Sequence, residues 1–316
     1  MRFLVAVMLV LAAIATPAMA APKRIALTFD DVPRNRGAFL TPDQRTAHLI
    51  AGLRAGGVRQ AAFFVNPGFL LKEDGQGGEA RIAAYVAAGH VIGNHSWDHP
   101  HLSAMSAGDY LANIDRADAW LRKQPGFRPW FRFPFLDEGG KDKVKRDAVR
   151  AGLKTRGLHN GYVTAEASDW NMEALTVAAA RGGKTMDMEA LKLLYVESHV
   201  QAADFADGLA IKVWDRSPVH VLLLHETDLA ALYIADLVAA LRADGWEIVS
   251  ADEAYADPIS QLFPDTPFAN GTLTESAAWE KGLPAPRWYE RNDVDLANRL
   301  FAERVLHEPV PVKPAP

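Results

Sequence analysis

The segment Arg-Ile-Ala-Leu-Thr-Phe-Asp-Asp, residues 24–31, joins an almost unbroken apolar run to two adjacent carboxylates. An apolar run of this length without alternation is typical of a strand that is covered on both faces, as in a parallel sheet. In barrels built on such sheets, functional groups collect at the carboxyl ends of the strands. The segment therefore predicts a parallel sheet, with part of a functional site at the carboxyl end of this strand.

The same pattern recurs along the chain, with helical segments between the apolar runs. Thr41-Pro42-Asp43-Gln44 predicts a helix start, in which Thr41 is the N-cap and Gln44 completes a capping box. Alternation of strands and helices implies either a doubly wound sheet or a (β/α) barrel. A dinucleotide-binding sheet is disfavoured because no G-x-G-x-x-G follows the first run. The predicted strands are Arg24–Phe29, Ala61–Val65, His90–Gly93, Trp130–Phe133, Gly161–Thr164, His220–Leu224 and Trp246–Ser250.

Composition restricts the kind of site that the chain can build. The 316 residues include no cysteine, and 49% of them are hydrophobic. The hydrophobic fraction supports a large core, and the lack of cysteine excludes disulfides, thiolate metal sites and cysteine nucleophiles. Any metal must therefore be bound by histidine and carboxylate side chains. The net charge of −5 gives no electrostatic reason to expect nucleic acid or an anionic membrane as a partner.

Residues 1–20 have the pattern of a secretory signal peptide. Arg2 precedes an apolar run over residues 3–15, and Ala18-Met19-Ala20 places small residues at a cleavage site. The run is short for a membrane span, so we expect no stable span after cleavage, with an uncleaved anchor as the alternative. We expect export to a periplasm or the exterior. The mature chain is predicted to form a barrel over residues 21–255 and a C-terminal extension, residues 256–316, packed on that barrel.

Five of the predicted strands end in groups that are capable of catalysis or metal binding. Asp30 and Asp31 either cap the next helix or, on an irregular turn, point in different directions, one to a metal and one to a reacting group. His95 and His99 are four residues apart, a spacing that puts two imidazoles on one face of a helical turn and suits a single cation. Arg132 lies among aromatic residues, so its guanidinium needs a buried carboxylate partner.

Two further residues at strand ends have competing interpretations. His225 ends the most apolar strand and is either a general acid or a buried structural histidine. Trp170 is either a core residue or a platform on which a sugar ring stacks. His101 lies close to the histidine pair and is expected to be exposed to solvent.

At these segments the chain resembles the polysaccharide deacetylases, the carbohydrate esterase family with the NodB homology domain. The family motifs are T-F-D-D-G-P, H-[ST]-x-x-H, R-x-P-[YF], D-x-x-D-W and L-x-H, in that order. The resemblance covers about residues 24–255 and implies an α/β fold, a distorted (β/α)7 barrel of the NodB type. The corresponding segments are Thr28–Pro33, His95–His99, Arg132–Phe135, Glu166–Trp170 and Leu223–His225.

The resemblance also implies an activity and a metal centre. It implies a hydrolase of carbon–nitrogen bonds that removes the acetyl group from an N-acetylhexosamine in peptidoglycan, a chitin-like oligomer or an exopolysaccharide. Asp31, His95 and His99 resemble the metal ligands of the family. Zn²⁺ is the expected ion, with Co²⁺ or Ni²⁺ as alternatives, because imidazole and carboxylate accept several divalent metals.

The remaining site residues follow from the same resemblance. Asp30 resembles the catalytic base, Arg132 the residue that orients it, and His225 the acid that protonates the leaving amine. Other expected positions are the backbone N–H of Phe135, which helps to bind the oxyanion, and Leu223, Asp169 and Trp170, which belong to the substrate pocket.

Four departures from the family motifs leave other functions open. Val32 and Leu136 stand where the family usually has glycine, Phe135 replaces the commoner tyrosine, and Glu166 replaces the first aspartate of the fourth motif. One alternative is hydrolysis of another amide or removal of another acyl group on the same fold. The other is a non-catalytic glycan-binding protein that holds no metal.

Overall fold

The computed structural model describes residues 22–309, so the predicted signal peptide lies outside the described residues. Most of the strands form one curled sheet, and helices pack around its outer face. The strands of the described part are β1 Lys23–Val32, β2 Ala62–Val65, β3 Val91–Asn94, β4 Phe127–Phe131, β5 Asp137–Gly140, β6 His159–Asn160, β7 Ala165–Glu166, β8 Val219–His225, β9 Trp246–Ile248 and β10 Ala269–Asn270.

Helices connect the strands of the sheet and continue into the C-terminal extension. α1 begins after Thr41 with the predicted capping box, in which Thr41 and Gln44 each bond the other's backbone N–H, so this prediction is confirmed. None of the helices within residues 22–309 has the length and the hydropathy needed to cross a membrane. The helices are α1 Pro42–Ala55, α2 Gly78–Ala87, α3 Ala107–Leu121, α4 Lys143–Thr155, α5 Asp169–Arg181, α6 Met188–Trp214, α7 Asp228–Ala243, α8 Ala251–Tyr255, α9 Leu273–Glu280 and α10 Val294–Arg304.

The strands of the main sheet pair in parallel in the order β6-β4-β3-β2-β1-β8-β7, and β9 pairs with the start of β1. The two edge strands, β6 and β7, are joined by residues 161–164 alone. The sheet must therefore curl until its edges approach each other, and the predicted distorted barrel is confirmed.

The strand predicted over Gly161–Thr164 is wrong. This segment crosses the gap between the two edges of the sheet and adds no strand of its own. The N–H of Gly161 donates to the carbonyl of Phe131 on one side at 2.7 Å, and that of Thr164 donates to Val221 on the other at 3.0 Å. Its hydrogen bonds go first to β4 and then to β8, the strands next to the two edges, so the segment forms a bridge across the gap.

The register of the sheet brings the predicted strand ends together. Ile25, Leu27 and Phe29 of β1 are buried in the main hydrophobic core. The alternate residues of β1 face the interior of the barrel, since side chains alternate along a strand. Asp30 is paired with His225 of β8. Both residues therefore lie at the carboxyl edge of adjacent strands.

The C-terminal extension covers the gap between the sheet edges. The N–H of Leu273 donates to the carbonyl of Val163 at 2.8 Å, and the Leu273 side chain joins the interior cluster of the barrel. β10 pairs with β5, and the N–H of Gly271 donates to the carbonyl of Leu136 at 3.3 Å. Residues 269–273 of the extension thus contact both the segment that crosses the gap and the loop that follows Arg132.

Glu275 in this extension gives a prediction on stability. Burial and the nearby charge of Glu166 raise the pKa of Glu275 from 4.5 to about 8. The folded state thus holds a proton that the unfolded state loses, so stability falls as pH rises from about 4.5 to about 8. One pKa unit corresponds to about 1.4 kcal/mol. We expect Glu275→Gln, which removes the charge, to stabilise the protein by about 2 kcal/mol at pH 8. This is less than the full pKa shift would give, because the carboxyl group borders a small cavity and is not completely enclosed.

Urea unfolding at pH 5 and pH 8 measures this effect. The gain should be small at pH 5, where the Glu275 carboxyl is already protonated in the folded state. Glu247→Gln on the exposed face of β9 is the matched control and should change stability little at either pH. An equal gain for Glu275→Gln at both pH values would contradict the electrostatic explanation.

Candidate active site

The loops at the carboxyl edge of the sheet contain unusual backbone conformations. Non-glycine residues with φ between +20° and +160° are rare, and each costs about 1–3 kcal/mol unless its surroundings hold it. Such residues cluster at functional sites. The segments singled out in the sequence contain six of them: Asp31, Ser96, His99, Phe135, Leu136 and Ser168.

Asp31, His95 and His99 come together as a group of three donor atoms within 4.8 Å of one another. Asp31 Oδ1 lies 3.6 Å from His95 Nε2 and 3.0 Å from His99 Nε2. In tetrahedral zinc sites, bonds of about 2.0–2.2 Å place the ligand atoms roughly 3.4 Å apart. The spacing of these three atoms is therefore suited to one ion.

The protonation and the hydrogen bonding of the three side chains also suit a metal. His95 Nδ1 lies 2.9 Å from the carbonyl of Arg132, so this nitrogen carries the proton and Nε2 keeps its lone pair toward Asp31. Burial lowers the pKa of His99 against the opposing charge of Asp31, which favours the neutral imidazole. Asp31 Oδ1 is buried and has no hydrogen-bond partner among residues 22–309. A cation would satisfy this oxygen.

The chain between the two histidines is an irregular turn, and the helical turn predicted from their spacing is wrong. Ser96 and His99 have φ of 69° and 63°, which are not helical values. Asn66, which directly follows β2, donates through Nδ2 to the carbonyls of His95 and Ser96. The imidazole centroids nevertheless lie 4.8 Å apart, because the turn and not a helix brings them together.

The Asp31 carboxylate is also held from its other side. Arg34 Nη1 donates to Asp31 Oδ2. Burial raises the pKa of Asp31, but the charge of Arg34 is the largest of the effects that outweigh it, so the pKa lies well below its usual value. Asp31 is therefore ionised, as a metal ligand must be.

Asp30 forms a buried ion pair beside this group. Arg132 Nη1 donates to Asp30 Oδ1 at 2.9 Å, and Asp30 Oδ2 lies 3.6 Å from His95 Nε2. Arg132 also donates to Thr28 Oγ1 at 3.1 Å and to the Tyr255 hydroxyl at 2.8 Å. The guanidinium is thus fixed among several acceptors, and it fixes the Asp30 carboxylate in turn.

His225 lies opposite, bound to Asp169. The backbone N–H of His225 donates to Asp169 Oδ2 at 2.8 Å, and its Nδ1 lies 2.7 Å from Asp169 Oδ1. Burial lowers the pKa of His225, but the charge and hydrogen bond of Asp169 outweigh it and raise the pKa. Asp169, which was expected in the substrate pocket, is instead almost fully buried behind His225, with both oxygens occupied.

Phe135 lies on a strained turn above the histidines. Phe135 and Leu136 have φ of 60° and 49°, so Leu136 adopts a conformation that the usual glycine would adopt at no steric cost. The ring of Phe135 is half exposed and stacks on His101 with centroids 3.5 Å apart and planes 8° apart. His101 is exposed to solvent, as predicted, and its ring also supports this turn.

The two other predicted pocket residues lie in different environments. Leu223 is nearly buried in β8 and is on the same face of that strand as His225. Trp170 follows Asp169 in the first turn of α5, and its side chain is 42% exposed. Trp170 is therefore not a core residue, and its ring is available to a ligand.

The roles of several residues of the site were not predicted from the sequence. Asn66 could have been found, because it follows the second predicted strand just as Asp30 follows the first. Arg34 lies three residues after Asp31 but has no pattern that marks its role. Thr28 and Tyr255 bind Arg132 across 104 and 123 residues of sequence, and no local signal indicates such a contact.

Comparison with known proteins shows which family part of this chain resembles. Residues 19–155 match the sequence profile of the polysaccharide deacetylase family. A chitin deacetylase of Colletotrichum lindemuthianum is 31% identical over 116 residues, which cover 36% of this chain and 43% of that protein. The peptidoglycan-N-acetylglucosamine deacetylase PgdA of Listeria monocytogenes is 25% identical over 245 residues, 75% of this chain and 40% of that protein. The chain spans less than half the length of these curated relatives.

A solved structure agrees in fold. The chitin deacetylase structure from Colletotrichum lindemuthianum superposes with a TM-score of 0.51 at 20% identity, covering 75% of this chain and 88% of that chain. Residues 19–155 are therefore similar to the polysaccharide deacetylase family, and the fold of the chain is that of the chitin deacetylase barrel.

Proposed function

We propose that the protein is an exported, metal-dependent deacetylase that hydrolyses the acetamide of an N-acetylhexosamine in a glycan. The observation that carries the proposal is the position of the Asp30–Arg132 ion pair, beside the group formed by Asp31, His95 and His99. A carboxylate held next to a candidate metal site is what hydrolysis of an amide by water requires.

The metal site supports a hydrolytic role because its donors fit a divalent ion. Asp31, His95 and His99 would hold the ion, with Zn²⁺ the best match to two imidazoles and one carboxylate. When bound, it would polarise the acetamide carbonyl and make the attacking water more acidic.

The residues around this group divide the proton transfers between them. Asp30 Oδ2 faces the group and would accept a proton from the attacking water, while Arg132 holds Oδ1. The backbone N–H of Phe135 would donate to the oxyanion of the tetrahedral intermediate. His225 would then give its proton to the leaving nitrogen as the C–N bond breaks, which releases acetate and the free amine.

The extension, residues 256–309, is part of the same proposal. Its β10 pairs with β5 and thereby braces the loop that carries Phe135. We therefore propose that barrel and extension act as one unit. We also propose that Trp170 and Leu223 border the pocket that receives the acyl group.

Release of acetate from a panel of acetylated glycans tests this function. Purified protein reconstituted with Zn²⁺ should release acetate from N-acetylglucosamine oligomers or from peptidoglycan. Small cyclic amides and formyl amides belong in the same panel, because Val32, Leu136 and Glu166 depart from the family motifs. Turnover of those amides alone would favour the alternative hydrolase, and glycan binding without turnover or metal would favour a binding protein.

The ion pair between His225 and Asp169 predicts a change in pH dependence. The Asp169 charge keeps the pKa of His225 raised, so the acid form of His225 persists to higher pH. Asp169→Asn removes this charge while keeping the shape of the side chain. The alkaline limb of kcat/KM should then move to lower pH, with a loss of about tenfold or more at pH 8. Asp43→Asn on the exposed face of α1 is the control, and an unmoved limb in Asp169→Asn would rule out His225 as the acid.

A further inference from the structure

The loop that follows Asp31 is held in place by a buried ionic network. Arg45 of α1 donates through Nε to Asp228 Oδ1 at 2.9 Å, and both side chains are almost completely buried. Asp228 Oδ2 in turn accepts the N–H groups of Phe39 and Leu40 at 2.7 and 3.0 Å. These bonds fix the far end of the loop against the start of α7.

The same network fixes the backbone of Arg34 itself. Glu226, which follows His225, accepts the N–H of Arg34 through Oε2 at 2.8 Å and the Tyr85 hydroxyl through Oε1 at 2.7 Å. Arg45 donates to the carbonyls of Arg34 and Asn35 at 3.2 and 2.8 Å. Buried charged side chains thus bind both the N–H and the C=O of Arg34, and these bonds fix the backbone from which its side chain extends.

From this position the guanidinium of Arg34 reaches the edge of the metal group. Within residues 22–309, Asp31 is the acceptor to which its side chain donates, through Nη1. The Arg34 side chain is one-quarter exposed to solvent beside Asp31. A guanidinium carries five N–H donors in a planar fork, and a single bond to Asp31 leaves donors for a second acceptor.

Lys72 brings a second cation to the same opening. Its Nζ lies 3.4 Å from the ring centre of Phe69, and that ring packs 6.4 Å from His99. Burial lowers the pKa of Lys72, while the nearby charges of Asp31 and Asp98 oppose this effect. Lys72 Nζ therefore lies over the ring that packs near His99, within electrostatic reach of Asp31.

The charges of the site do not cancel once a divalent ion is bound. Asp30 is paired with Arg132, Asp31 with Arg34, and Asp169 with His225. The carboxylates of Glu226 and Asp228 are buried and bond to backbone N–H groups, so they do not face the opening. Asp98 opposes the charge of Lys72, so the charge of the ion is the one that remains uncompensated at the opening, although the chain as a whole carries a net charge of −5.

We propose that Arg34, with Lys72, binds a carboxylate group on the glycan, so that the preferred substrate is an acidic N-acetylated sugar and not a neutral one. This inference rests on the proposed deacetylase function. The guanidinium would donate to the sugar carboxylate through the N–H groups that Asp31 does not use. Charge-assisted bonds of this kind are stronger than neutral ones and favour arginine over lysine.

Paired substrates and paired variants test the proposal. The acidic substrate is the disaccharide of N-acetylglucosamine and N-acetylmuramic acid, and the neutral substrate is the disaccharide of N-acetylglucosamine alone. The variants are Arg34→Gln and Arg34→Lys, with Arg36→Gln as the control, because Arg36 is an exposed residue of the same loop. Each is measured for kcat/KM on both substrates, and for bound zinc.

We expect the wild-type protein to favour the acidic substrate, and this preference should weaken as salt is added. Because Arg34 also holds Asp31, Arg34→Gln should lower kcat/KM on both substrates, and the loss should be about tenfold larger on the acidic one. Arg34→Lys should recover part of this difference, and Arg36→Gln should behave as wild type. Bound zinc is measured in each variant, so that the two substrates are compared per zinc-loaded molecule.

An equal loss on both substrates per zinc-loaded molecule in Arg34→Gln would overturn the proposal, because Arg34 would then act only through Asp31. A wild-type preference for the neutral disaccharide would overturn it as well. If neither disaccharide releases acetate, the proposed function fails, but calorimetric binding of both disaccharides still decides the role of Arg34. Tighter binding of the acidic one, lost in Arg34→Gln, would support the carboxylate site, and equal binding would refute it.

Discussion

Asp30→Asn is expected to lower kcat by at least about 10³-fold while leaving the fold and the metal content unchanged, within the range that general acid–base groups contribute. The substituted side chain would keep an oxygen that can accept the bond from Arg132. It would present an amide to the attacking water, and an amide cannot take up the proton. Retention of the metal follows because Asp31, His95 and His99 supply the three donor atoms without Asp30.

Acetate release, zinc stoichiometry and thermal unfolding together measure this result. Arg132 is almost fully buried, so its remaining bonds to Thr28 and Tyr255 must hold it in the variant. The unfolding measurement shows whether they do. Asp43→Asn, an exposed aspartate of α1, is the matched control and should keep full activity. A folded Asp30→Asn protein with activity within tenfold of wild type would exclude Asp30 as the base.

Removal of the metal is expected to have an effect of similar size. Dialysis against a chelator should lower acetate release by at least about 10³-fold, and added Zn²⁺ should restore it, because the carbonyl and the attacking water both lose their activation. The metal binds the folded state, so zinc at about 1,000 times its Kd should stabilise the protein by about 4 kcal/mol. Thermal unfolding with and without zinc measures this stabilisation independently of catalysis.

His95→Ala should reproduce the effect of the chelator and remain insensitive to added zinc. His95 contributes a buried Nε2 to the group and is held by the carbonyl of Arg132, so its loss removes one of three donors. His48→Ala on the exposed surface of α1 is the control for loss of a histidine. Zinc binding at wild-type affinity in His95→Ala would show that these three residues do not form the metal site.

The sequence was sufficient to predict the strand ends but not the paths between them. Asp30 and Asp31 follow a continuous apolar run, and a run of this length is typical of a buried parallel strand. The turn between His95 and His99 could not be predicted from spacing, because left-handed residues and the Asn66 side chain determine it. Residues 161–164 were predicted as a strand because they are apolar, yet the closure of the barrel makes them a bridge.

Long-range pairing is the other part that local patterns do not indicate. Arg45 and Asp228 are 183 residues apart, and each is unremarkable in its own segment. Their contact arises because α1 and α7 pack side by side behind β1 and β8, a consequence of strand order and not of residue spacing. The position of Arg34 depends on this contact, so the charge at the opening of the site became visible only in the folded chain.

The bridge between β6 and β7 also bears on how the protein behaves among other copies of itself. Open sheets usually end in two long strands whose unpaired N–H and C=O groups can recruit a strand from another molecule. Here each edge strand is two residues long, the two edges are consecutive in the chain, and Leu273 occupies the gap between them. Within residues 22–309, the two ends of the strand order therefore offer a neighbouring molecule only two residues each, which limits aggregation through strand addition at β6 and β7 at high protein concentration.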